Sequence, residues 1–149
     1  FRRLGLKTLA NEHVVINHDG AQLVMAGVND YSALSRNPDE TSPELHGSNP
    51  EKALAGSPNG VTKILLAHQP RSAKAALEAG FDLQLSGHTH GGQFWPWNLF
   101  VRLQQPFTAG LNQLGKLWVY TSRGAGYWGP PNRFGAPSEI TLIRLISAS

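Results

Sequence analysis

The 149-residue sequence contains no cysteine, which excludes disulfides, thiolate metal sites and cysteine nucleophiles at once. It has no run approaching the ~20 apolar residues that a bilayer-spanning helix needs. It has no internal repeat and no long low-complexity tract. Neither sign of charge dominates: 13 Lys and Arg against 10 Asp and Glu leave a net charge of +3 and a pI near 9.5. That bias is weaker than a dedicated nucleic-acid binder shows, yet a modest positive field suits an anionic, phosphate-bearing substrate. With 40% hydrophobic residues, the chain is ordinary globular material, long enough for one domain with a real core.

What is present is histidine in a telling place. Residues 61–67 form a short apolar run with β-branched residues, the pattern of a buried strand. The run ends at His68-Gln69-Pro70, where Pro70 cannot continue a central strand. Residues 72–79 are rich in helix formers, with Ser72 as a candidate N-cap and Gly80 just past the end. Residues 81–86 read as strand again and lead into Gly87-His88-Thr89-His90. Strand, helix, strand is a βαβ unit whose strands run parallel and lie close in one sheet. His68 and the His88/His90 pair are then expected just beyond the carboxyl ends of parallel strands, the edge where open α/β sheets bind ligands. On an extended backbone, residues i and i+2 point the same way, so His88 and His90 are expected to present two imidazoles to one point. Converging neutral imidazoles suit Zn, Mn or Fe. A lone His-x-His is a weak signal; the third histidine strengthens it.

The rest of the chain reads mainly as scaffold. Residues 6–9 and 13–17 are expected as short strands, with His18-Asp19-Gly20 as a turn into a strand over residues 22–28. His13 and His18 are read as strand and turn residues, not ligands. Asp30 follows the strand; it either reaches the same sheet edge or caps the turn at residues 31–34. Residues 35–57 are read as a surface loop with one weak helical turn near 51–55, and His46 within it as solvated. The aromatic stretch 94–103 has two readings: a hydrophobic lip for an acyl or isoprenoid tail or a membrane interface, or a loop whose rings fill the core. Residues 117–121 form another apolar strand, followed by Ser122-Arg123-Gly124-Ala125-Gly126. That turn offers backbone N–H groups and Arg123 to a phosphate, or is simply a sharp turn with a solvated arginine. Residues 127–131 are read as a rigid loop, and residues 139–145 alternate as a closing strand.

The blocks Leu66-Ala67-His68-Gln69-Pro70, Leu85-Ser86-Gly87-His88-Thr89-His90-Gly91-Gly92-Gln93, Tyr120-Thr121-Ser122-Arg123-Gly124-Ala125-Gly126 and Gly135-Ala136-Pro137-Ser138-Glu139-Ile140-Thr141-Leu142 resemble the calcineurin-like metallophosphoesterases. The Gly-Gly-Gln extension looks like the bacterial, often membrane-associated branch, so a bacterial, membrane-associated protein is expected. The resemblance implies an α/β fold: a mixed sheet with flanking helices, the C-terminal half of a two-sheet sandwich. It implies that His68 and His88 share one divalent metal and that His90 binds its neighbour, with Mn, Fe or Zn as the two ions. It implies hydrolysis of a phosphoester, expected to be a phosphodiester or pyrophosphate in a lipid-linked or nucleotide-sugar substrate, with a membrane surface or lipid tail as a further partner and no nucleic acid. The family's opening motifs (Asp-x-His, Gly-Asp-x-x-Asp, Gly-Asn-His) do not occur in residues 1–149. The chain is therefore expected to be a partial domain and inactive by itself. A non-catalytic histidine-based metal-binding domain and a peripheral membrane-binding domain are the alternatives.

Overall fold

A computed structural model describes residues 2–33 and 47–146. Six strands form one sheet in the order β1-β2-β3-β4-β6-β5. They are β1 (Glu12–His18), β2 (Ala21–Gly27), β3 (Thr62–Leu66), β4 (Leu83–Ser86), β5 (Gly110–Leu114) and β6 (Leu117–Thr121). The neighbours β2–β3, β3–β4 and β4–β6 are parallel, while hairpins add β1 and β5 antiparallel at the two edges. The helices are α1 (Pro50–Leu54), α2 (Ala73–Ala79) and α3 (Trp97–Gln104). This is the mixed α/β sheet with flanking helices that the sequence implies.

The β3–α2–β4 unit is the expected parallel crossover. Its helix ends at Gly80, whose φ of 91° is the left-handed value that glycine adopts at little cost. Ser72 does not cap α2 with its side chain. A 3-10 turn over Pro70–Ser72 leads directly into the helix instead. One face of the sheet carries Val24, Ala26, Leu65, Leu117 and Val119, which pack with Ala53 and Leu54 of α1, Ala73 and Ala76 of α2, and Phe81 as the core.

Pairing register places Ile16, Leu23, Met25, Ile64, Leu66, Leu83, Leu85, Trp118 and Tyr120 on the opposite face. Several of these stay exposed: Ile16 by 40%, Leu66 by 38% and Trp118 by 45%. Parallel strands are normally covered on both sides. Among the described residues, this second face lacks a helical layer.

Three local expectations change. Residues 6–9 form no strand, and residues 139–145 form none either. The second segment runs alongside Tyr120, held by Glu139 and Thr141, and Ile140 and Leu142 are more than nine-tenths exposed. It has the strand pattern without a strand partner among the described residues. The aromatic stretch, read as lip or loop, contains α3, and none of that helix's residues is buried. The helical turn near 51–55 is α1, capped by Asn49 through its side chain onto the Lys52 N–H. His46 and the loop reading of residues 35–46 lie outside the described residues.

Candidate metal centre

The carboxyl ends of the four parallel strands meet along one edge, and each delivers a polar group there. β2 leads to Asp30, β3 to His68 and Gln69, β4 to His88 and His90, and β6 to Arg123. Backbone bonds carry the alignment past the strand ends. Ala67 N donates to Leu85 O and Gly87 N to His68 O, each at 3.1 Å, and Ser122 N donates to Ser86 O at 2.8 Å. His68 and His88, twenty residues apart, are thereby brought together: His88 Nδ1 lies 3.2 Å from His68 Nε2. Their rings meet edge-on, with centroids 4.9 Å apart.

His88 and His90 do not share an extended backbone. β4 ends at Ser86, and both histidines are left-handed, at φ 68° and 51°. Gly91, Gly92 and Gln93 are left-handed too. A non-glycine residue in this region costs about 1–2 kcal/mol, and such strain persists only where surrounding contacts enforce it. Here they do. Thr89 Oγ1 donates to Thr108 O at 2.7 Å, and Gly92 N donates to Thr89 O at 2.7 Å. Fully buried Gln93 donates to Trp128 O and Pro130 O at 2.8 and 3.1 Å, and accepts from Trp128 N at 2.7 Å. The alternation expected for i and i+2 fails because the strand has already ended. His88 turns to His68, and His90 turns to the loop that follows β6.

All three histidines nevertheless line one cavity of about 430 Å³, rimmed by Trp97, Val101 and Trp128. His90 has Arg133 beside it, with Nη1 3.3 Å from its Nδ1. Burial first, and then the positive charge of Arg133, hold the His90 pKa below its ordinary value. That favours the neutral imidazole a metal requires.

Asp30 combines the two roles read for it. Its Oδ1 accepts from the backbone and hydroxyl of Ser32, which is the turn cap, and from Gln69 Nε2 at 3.0 Å. Burial tends to raise its pKa, but the Ser32 and Gln69 bonds and the nearby His68 outweigh it and lower the net value. Gln69 and Gln105 are both buried, and Gln105 Nε2 donates to Gln69 Oε1 at 3.3 Å. A polar support thus lies directly behind His68. Arg123 is paired with Glu139: Nη1 reaches Oε2 at 3.0 Å, and its backbone N–H reaches Oε1. His13 bonds the Ala53 carbonyl, and His18 is exposed beside Asp19, so neither joins the site.

Two nitrogens bound to one ion at about 2.0–2.1 Å each are separated by roughly 3 Å, and the His68–His88 pair has that spacing. Imidazoles suit Zn, Mn or Fe by donor type. The pair therefore fits a shared cation. No group of three or more His, Cys, Asp or Glu side chains placed to hold a metal ion occurs among the described residues. Sequence reasoning missed Gln93 and Arg133 as organisers of this site. Gln93 sat in the quoted motif without a role, and Arg133 carried no local signal because its partners are backbone carbonyls.

Across 145 residues, or 96% of this chain, the sequence is 42% identical to an uncharacterized metallophosphoesterase of Helicobacter pylori, covering 36% of that protein. Relatives 33–42% identical over most of this chain are named metallophosphoesterases, which supports that superfamily. The chain is also 42% identical over 154 residues, 97% of the chain and 34% of the relative, to a bovine transmembrane protein with metallophosphoesterase domain. A third relative is an uncharacterized metallophosphoesterase of Bacillus subtilis, 33% identical over 88% of this chain and 43% of its own length. The chain spans about a third of the length of the first two relatives. No family model and no solved structure matches it.

These relatives correct the expected localisation. The resemblance is not confined to a bacterial, membrane-associated branch, since cattle, zebrafish and nematode proteins share it. The bovine and zebrafish relatives are named transmembrane proteins, while the bacterial names say nothing of a membrane. No helix among the described residues is long and apolar enough to cross a membrane. Its eight-residue α3 is far short of the ~20 needed.

Proposed function

We propose that the complete metallophosphoesterase hydrolyses a phosphodiester or pyrophosphate at a two-metal site to which this segment contributes His68, His88 and His90. The observation that carries this reading is the 3.2 Å approach of His68 Nε2 to His88 Nδ1 at the ends of neighbouring parallel strands. In the proposed arrangement those two imidazoles share one ion, and His90 serves the second from the same cavity. The remaining ligands come from the length of the relatives that this chain does not span. Divalent ions bound there supply Lewis-acid polarisation of the phosphoryl group and acidify a bound water.

The chain's own residues hold and orient. Gln69, tied to Asp30 and Gln105, keeps the His68 loop in place behind the imidazole. Arg123, tethered by Glu139 but with its side chain 40% exposed, is the proposed anion contact. Trp97 and Trp128 at the cavity rim support a substrate that carries an apolar or planar group beside the phosphate, as lipid-linked and nucleotide-sugar substrates both do. A non-catalytic histidine metal site is the competing reading, and turnover separates the two.

The test uses the complete protein, a bis-aryl phosphodiester, and Mn, Fe or Zn. Turnover should require metal, and His68→Ala or His88→Ala should lower kcat/KM by more than about 100-fold while reducing bound metal. Metal-independent turnover, or full metal content and rate in both variants, would overturn the assignment.

A further inference from the structure

The cavity over the histidines has two aromatic walls, and adjacent residues of one loop anchor both. One wall comes from α3 as Trp97 and Val101, with the Phe100 ring tilted against Trp97 at 5.8 Å between centroids. This helix is pressed onto the histidine loop, since a Cβ at Gly92 would meet the Asn98 Cα at 2.3 Å. The other wall is Trp128, from the loop after β6. Gln93 holds it. The fully buried Gln93 amide accepts from Trp128 N at 2.7 Å and donates to Trp128 O at 2.8 Å and to Pro130 O at 3.1 Å.

One amide thus pairs with both backbone groups of a single residue, as a neighbouring strand would. Residues 127–131 form no helix or strand, and two of them, Pro130 and Pro131, have no N–H to give. A side chain therefore supplies the fixation that a ladder supplies elsewhere. Trp128 nevertheless keeps 52% of its surface open, so its ring is presented to the cavity rather than spent in the core. An exposed ring on a backbone already held in place is a preorganised contact: much of its ordering cost is met before anything binds.

We propose that Gln93 is a positioning residue that sets substrate preference: by fixing Trp128 at the rim it shares with Trp97, it favours a phosphodiester whose second ester group is apolar. The inference rests on the phosphodiester reading proposed above and adds to it the residue that shapes the rim. Tryptophan rings take a planar group by stacking or an aliphatic chain by burial. The shared chemistry is an apolar group beside the phosphoryl centre.

The complete, metal-loaded protein is assayed on p-nitrophenyl phosphodiesters whose other ester group is methyl, phenyl or octyl, so the bond broken and the leaving group stay the same. Wild type should show a KM for the phenyl or the octyl ester about 10-fold below that for the methyl ester. A preference for phenyl identifies a stacked ring, and one for octyl a chain; either supports the proposal. Gln93→Met, which makes none of the three bonds, should bring the KM values together. Its kcat and bound metal should change little, because Thr89 and Gly92 still hold the histidine loop. Gln93→Glu, which keeps only the acceptor for Trp128 N, should shift KM the same way. Trp128→Ala should match Gln93→Met, and the double variant should add nothing, as for two residues acting through one contact. Loss of metal, or an equal change on every ester, would show that Gln93 supports the histidine loop instead and would overturn the proposal. Equal wild-type KM for all the esters would overturn it even if no Gln93 variant folds, while the hydrolase function stands. Absence of metal-dependent turnover would remove the function and the proposal together.

Discussion

At the residue scale, the site's left-handed backbone is concentrated in five residues, three of them not glycine. His88, His90, Gly91, Gly92 and Gln93 are all left-handed, and their neighbours leave little room for substitution. A Cβ at Gly92 would meet the backbone Cα of Asn98 at 2.3 Å, whereas one at Gly87 meets nothing within 4 Å. Gly92 is therefore caught between a positive φ of 81° and the start of α3. Gly92→Ala should lower the thermal unfolding midpoint by several degrees and displace α3 from the cavity. Gly87→Ala should leave the unfolding free energy within about 0.5 kcal/mol of wild type, as changes away from packed features do. Denaturant melts of both variants check this pair. Equal midpoints would show that the His88–Gln93 loop can relax away from α3. Gln93 belongs to the same argument, since its one buried amide makes three bonds to the backbone of residues 128 and 130.

At the element scale, the segment after Pro137 depends on one carboxylate. Glu139 accepts from the Arg123 N–H, the Arg123 guanidinium and the Tyr120 hydroxyl. The Arg123 backbone bond is the main cause that brings its pKa below the ordinary 4.5; partial burial opposes this, and Tyr120 and the Arg123 charge assist it. A carboxylate with a depressed folded pKa stabilises the fold above its unfolded value and loses that contribution as pH falls through the folded one. The anchoring of residues 139–146 should thus be complete above about pH 4.5 and fade below it. Hydrogen-exchange protection factors should fall at acid pH in this segment and stay level in α2. Glu139→Gln should abolish the pH dependence. A protection pattern for residues 139–146 that is flat with pH in wild type would remove Glu139 as the anchor. The expected closing strand does not form. The segment has the right alternation, but its bonds are one backbone contact, Glu139 N–H to Gly124 O, and side-chain contacts to Tyr120 and Arg123, which do not build a strand ladder.

At the scale of the whole molecule, the sheet has one face packed by α1 and α2 and one apolar face without a helical layer among the described residues. On that second face Ile16, Leu66 and Trp118 stay exposed, while Ile64 and Leu83 are buried. Parallel strands are normally covered on both faces, so this is the face on which a further layer is expected to pack. The relatives are about three times the length of this chain. The isolated 149-residue segment should therefore bind a hydrophobic dye such as ANS and show no metal-dependent phosphodiesterase activity. The complete protein should bind little dye. Dye-free behaviour and turnover by the segment alone would reject the partial-domain reading.

Local sequence determined the parts of this protein that depend on local patterns. β2, β3, α2, β4 and β6 follow from runs of β-branched and apolar residues, a stretch of helix formers, and the glycine and proline that end them. Strand–helix–strand order then implies parallel pairing, because a short helical crossover returns the chain in the same direction. That order alone puts His68 and His88 at one sheet edge. β5 and α3 are not in the sequence reading, because β5 carries only two large apolar residues and the aromatic run 94–103 reads as a lip or a loop rather than a helix. Only the tertiary structure decided which ring meets which partner. His88 faces His68 because Gly87 N bonds His68 O, and His90 faces Arg133 because the loop after β6 folds back 43 residues along the chain. Contacts to backbone carbonyls and left-handed turns leave no periodic trace in a sequence, since they depend on where distant segments cross.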